Sequence, residues 1–165
     1  MRRFTLGFLV ILLAIAVPAA VAQSGGKAQV CVAGLENNGT QAAPGGVRDA
    51  LIKFMDKLKN GQEQGVPLET ISPADSLAAA KEKNCEYVVT TKVIEEHSDS
   101  GYAGGLSQVN MQTFYITVEY KLVKVSDGSV VSTGSVKASD RGTAQNAVVA
   151  TMKKIAEKVN DSIKK

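Results

Sequence analysis

Apolar positions along the chain change period several times, and each change marks the border of an element. From Ala28 to Leu35 the run Ala-Gln-Val-Cys-Val-Ala-Gly-Leu is β-rich and closes on the turn cluster Glu36-Asn37-Asn38-Gly39, which predicts a first strand. Between Val47 and Leu58 the apolar residues Val47, Leu51, Phe54, Met55 and Leu58 recur at helical spacing, on one face. Asn60-Gly61 ends that helix, because Asn and Gly tolerate the left-handed backbone found there. The short piece Val66 to Ile71 reads as a second strand, weakened by Pro67. A second helix opens at Ser72-Pro73-Ala74-Asp75, where Ser72 can cap, Pro73 suits the first helical position and Asp75 complements the positive end of the dipole. It runs to about Asn84, and the β-branched stretch Cys85 to Ile94 follows as a buried strand.

Periodicity then lapses. Residues 95–110 include His97, Asp99, Gly101, Gly104 and Gly105 and read as a loop. Alternation returns at Thr113, with Phe114, Ile116, Val118, Tyr120 and Leu122 on one face and mostly polar residues on the other. Asp127-Gly128 marks a hairpin, and Val130 to Lys137 is its returning arm. The last helix, from about Arg141 to Ile163, carries the stripe Ala144, Val148, Met152, Ile155, Val159 and Ile163. The order β-α-β-α-β-β-β-α predicts a mixed α/β (α+β) fold, with helices packed on a mixed sheet, in one domain over residues 28–165.

Ahead of that domain the chain has the form of an address. Arg2-Arg3, an apolar run from Phe4 to Val17, Pro18 and then Ala20-Val21-Ala22 form the three regions of a secretory signal peptide over residues 1–22. Cleavage after Ala22 exposes Gln23, and residues 23–27 read as a flexible lead-in. No later stretch has the length and apolarity of a membrane span. Cys31 stands behind a polar stretch, so it does not sit where a lipid-attachment cysteine would.

Composition narrows the partners. The formal charge of +3 falls to +1 without Arg2 and Arg3, which leaves no electrostatic case for nucleic acid or acidic lipid. With 44% hydrophobic and 21% charged residues the chain can bury a core.

The strand Cys85-Glu86-Tyr87-Val88-Val89-Thr90, arriving straight after a Leu/Ala-rich helix, and the hairpin Leu122 to Val130 carry a family likeness. They resemble the periplasmic α/β domain shared by TolB amino-terminal domains, curli secretion-pore proteins and lipoprotein activators of penicillin-binding proteins. Asn84 to Thr91 stands where those families have "gly-ala-asp-tyr-val-(val/leu)-thr-gly", and Lys124-Val125-Ser126-Asp127-Gly128 where they have "val-asp-(x)-(x)-thr-gly". The resemblance implies a non-enzymatic domain of the periplasm or secreted space that works by contact with an envelope protein.

Candidate chemistry is sparse. Cys31 and Cys85, the only cysteines, are a disulfide pair or two buried thiols, and an oxidising compartment favours the bridge. Parallel pairing of the first strand with the strand after the second helix would bring them within reach. His97, beside Glu95, Glu96, Ser98 and Asp99, is the one candidate for a small secreted hydrolase, but consecutive residues point in different directions and no nucleophile-elbow motif accompanies it. These acids lack the spacing of a calcium loop and the donor set of a zinc site. Gly101-Tyr102-Ala103-Gly104-Gly105 lacks the Lys-Ser/Thr and helix of a phosphate cradle. The reading therefore assigns no catalytic residue, cofactor or metal, and places the contact surface at His97, Asp99, Tyr102 and Leu106. Tyr87 and Tyr115 are expected to line the sheet, and self-association through an exposed hairpin edge is a further expectation.

Overall fold

The computed structural model describes residues 27–36, 44–58, 61, 63–103 and 109–164. The segment expected to be a signal peptide and most of the expected lead-in lie outside them. The elements are β1 (Ala28–Glu36), α1 (Pro44–Lys57), β2 (Glu63–Pro67), α2 (Pro73–Glu82), β3 (Tyr87–Ala103), β4 (Val109–Lys124), β5 (Val130–Asp140) and α3 (Ala144–Ile163). The strands form one mixed sheet in the order β2-β1-β3-β4-β5. β1 pairs in parallel with β2 and β3, whereas β3, β4 and β5 run antiparallel. The element order matches the expectation from the sequence.

The helical stripes explain the layers. Val47, Leu51 and Met55 of α1 and Val148, Met152, Ile155 and Val159 of α3 are fully buried with Val30, Val32, Val89, Val118 and Leu122 of the sheet. Each such side chain contributes roughly 1.5–3 kcal/mol relative to remaining exposed. On the opposite face Ala80 of α2 packs with Cys31, Leu68, Cys85, Val88 and Val125. That smaller cluster covers only the beginning of β3, so much of the β3-β4-β5 face lies open.

Local chemistry sets the ends. Ser72 takes an extended cap conformation, but its side chain makes no capping bond; instead the N–H and hydroxyl of Ser76 both donate to the Ser72 carbonyl, at 2.9 and 2.7 Å. At the other end of α2, Asn84 has φ of 56°, its N–H donates to the Lys81 carbonyl, and the Cys85 N–H donates to that of Ala80. This paired closure satisfies carbonyls that would otherwise be orphaned and turns Cys85 toward β1. α3 opens three residues later than the sequence suggests, because the Thr143 hydroxyl accepts from the Asn146 N–H at 3.1 Å. In the β4–β5 turn Gly128 adopts φ of 73° and donates to the Lys124 carbonyl, which accounts for its being glycine.

Two elements differ from expectation. β2 lies at Glu63–Pro67 rather than Val66–Ile71, with Pro67 at its end on the edge strand, where its missing N–H costs the ladder little. The larger correction concerns residues 95–110, read from the sequence as a loop. β3 continues to Ala103 and β4 starts at Val109, so most of the segment is a two-stranded ribbon. Residues 95–100 are exposed on both faces of β3, and a strand with neither face buried has no need of alternation. A bulge adds to the irregularity: Val93 pairs with Val118 and Glu95 with Thr117, which leaves Ile94 over.

Candidate functional site

Register, rather than sequence neighbourhood, builds the polar surface on the open face. Glu95 lies opposite Thr117 and Thr117 opposite Lys137, so one row crosses three strands; His97, Tyr115 and Ser139 form the next. The Thr117 hydroxyl donates to Glu95 Oε2 at 2.8 Å, and Lys137 Nζ lies 3.7 Å from the same oxygen. That hydrogen bond, with the Lys137 charge second, holds the Glu95 carboxyl below its ordinary range. His97 Nδ1 stands 3.8 Å from Glu95 Oε1, and its ring stacks on Tyr115 with centroids 4.8 Å apart and planes within 10°. A cavity of about 630 Å³ opens here, with contributions from β3, β4, β5 and α3.

This placement separates the residues that had suggested a hydrolase. Ser98 follows His97 on an extended strand and therefore points to the other face, where its hydroxyl accepts from Gln112 Nε2 at 3.0 Å. Ser139 shares the face of His97 but stands two strands away, with Tyr115 between them. Of the expected contact residues, His97 and Asp99 sit on β3 with exposed side chains, Asp99 paired with Thr113. Tyr102 lies on the same strand opposite Asn110, and Leu106 falls outside the described residues. Tyr115, Thr117 and Lys137 were not singled out as partners of His97 and Glu95; only the register reveals them.

The ribbon outruns its neighbours. The pairing of β1 with β3 ends at Glu36 and Lys92, and that of β5 with β4 ends at Asp140 and Phe114. Among the described residues, the outer edges of Glu95–Ala103 and Val109–Thr113 therefore have no strand beside them.

No family model matches the chain. No curated protein matches it either. Solved structures do match. The PelC dodecamer from Paraburkholderia phytofirmans is 20% identical with a TM-score of 0.55, over 81% of this chain and 88% of that one. The hypothetical protein CT253 from Chlamydia trachomatis is 10% identical with a TM-score of 0.58, over 84% and 98%. TolB from Acinetobacter baumannii, 13% identical over 84% of this chain and 27% of its own, reaches a TM-score of only 0.43, too loose to carry an argument. At these identities the likeness establishes a shared α/β architecture and no more specific type. The mixed α/β architecture that the resemblance implied is thus present, and these structures do not single out the TolB, curli or activator type.

Away from the ribbon, Cys31 and Cys85 are bridged, with Cα atoms 5.8 Å apart. Tyr87 is partly buried against the main core, as expected of a ring lining the sheet, whereas Tyr115 faces the cavity. Among the described residues no group of three or more His, Cys, Asp or Glu is placed to hold a metal, and no helix is long and apolar enough to cross a membrane.

Proposed function

We propose that this chain is an exported, non-enzymatic accessory domain that acts by protein contact in envelope assembly or secretion, and that it docks through the β3–β4 ribbon. The observation that carries this reading is the ribbon's reach past β1 and β5, which among the described residues leaves backbone donors and acceptors at its edges free to pair with an added strand. Charge favours a basic partner surface: Glu96 and Asp99 are exposed on β3 with no Lys or Arg in the chain from Val93 to Tyr120, whereas Glu95 and Glu119 already face Lys137 and Lys92. His97 and Asp99 contribute exposed side chains, and Tyr102 and Leu106 belong to the same contact. The signal-peptide pattern and the disulfide support the periplasm or secreted space as its location. A second copy of the chain is one partner the free edge would accept, and PelC is itself a dodecamer.

The test is to replace Ser100–Gln112 with Asn-Gly. This joins Asp99 to Thr113, which already face each other, through a turn suited to the hairpin. Capture of a partner from envelope extract should disappear while the thermal transition persists. Unchanged capture by the folded variant would exclude the ribbon, and the exposed face of α3 would be examined next. Light scattering of both proteins separates self-association from a different partner.

A further inference from the structure

Beyond contact through the ribbon, we infer that the cavity beside Tyr115 is a binding site for a small monoanionic carboxylate with a flat apolar body. Its volume of about 630 Å³ falls in the range of ligand pockets. Its lining takes polar residues from four elements, Glu95 from β3, Thr117 from β4, Lys137 and Ser139 from β5, and, at the β5 edge, Lys154 from α3. The Lys154 ammonium is already oriented, donating to the Lys137 carbonyl at 3.0 Å, and an ammonium has further donors to offer.

The charge count selects the ligand. Lys137 stands against Glu95, whose ionised form Thr117 also stabilises, so that pair is internally balanced. Lys154 remains as the uncompensated cation of the lining. One excess positive charge suits one carboxylate, while the fixed negative charge of Glu95 disfavours a phosphate dianion. The apolar part of the lining fits the rest of such a molecule. Tyr115, whose ring is held by stacking on His97, lies with Ala138 and Ala150 around the same space and offers a surface for a planar body.

The probe is benzoate, with benzyl alcohol as its neutral counterpart and inorganic phosphate as the dianion, titrated into 15N-labelled protein. Saturable amide shifts should centre on Tyr115 to Thr117 and Lys137 to Ser139. Affinity should fall about tenfold or more for benzyl alcohol and for the K154Q variant, which keeps a donor for the Lys137 carbonyl but loses the charge. Y115A should weaken benzoate comparably. Absence of saturable shifts, phosphate binding as tight as benzoate, or unchanged affinity in folded K154Q would overturn the assignment. The protein with Ser100–Gln112 replaced keeps Glu95, Tyr115, Thr117, Lys137 and Lys154. It should therefore still bind benzoate, so failure of the contact reading and failure of this one are distinguishable.

Discussion

Reduction of the Cys31–Cys85 bridge should lower stability by about 4 kcal/mol, the chain-entropy value for a closed loop of 54 residues. The bridge joins the two strands whose parallel pairing closes that loop. Cys31 lies in β1 opposite Val88 of β3, and Cys85 is delivered by the left-handed end of α2 just ahead of β3. Both residues are buried, so replacing them with alanine would add a cavity cost to the loss of the cross-link. Comparing the oxidised and reduced forms of the unaltered chain isolates the cross-link more cleanly. Urea unfolding with and without a phosphine reductant is the assay. The reduced form should show an earlier midpoint and a steeper dependence on urea, because its unfolded state is more open. In thermal melts the loss corresponds to roughly 10–15 °C for a chain of this size. A stability difference below about 1 kcal/mol would refute the entropic argument. Labelling of both thiols by iodoacetamide in the folded, unreduced protein would refute the bridge itself.

Two further perturbations test other parts of the description. Thr143→Ala removes the acceptor for the Asn146 N–H at the start of α3 and should cost about 1 kcal/mol in urea unfolding; an unchanged midpoint would mean that Asp140, which accepts from the Thr143 N–H, holds the helix start without the hydroxyl. The Glu95 carboxyl, followed by NMR, should titrate below its ordinary value near 4.5, and Thr117→Ala should bring it back up. A carboxyl whose pKa is depressed by folding adds stability above its unfolded pKa, and that contribution is lost as the pH falls through the folded value. Its loss should therefore appear only in acid; a Glu95 midpoint at or above the ordinary value would contradict the Thr117 contact.

The helices and buried strands were legible because burial imposes a period. α3 shows this best, since its predicted stripe of Val148, Met152, Ile155 and Val159 is fully buried. α2 was readable through Pro73 and Asp75, although the expected cap at Ser72 is carried by backbone and Ser76 contacts instead. What escaped notice was the distal half of β3. Ser98, Asp99, Ser100 and Gly101 are exposed, so no buried face leaves its mark, and the bulge at Ile94 breaks the phase where alternation might have carried over. His97 could be singled out by residue type, but its true neighbours, Tyr115 on β4 and the Thr117–Lys137 row, depend on pairing across strands. One signal was available: Thr113, Tyr115 and Thr117 are good strand formers at alternating positions, and a strand needs a partner.

The open half of the sheet gives this scaffold room to change its address without changing its frame. Lys92, Glu119 and Ser135 form one row across β3, β4 and β5, next to the rows of Glu95 and His97, and none of these belongs to the two apolar clusters. Apart from buried Thr117, exposed positions of this kind usually tolerate substitution within about 0.5 kcal/mol, so selection can rewrite them one at a time while the buried side still folds the chain. On the proposed reading, recognition and stability rest on separate sets of residues. The α/β fold itself persists at 10–20% identity, as it does with CT253 and PelC.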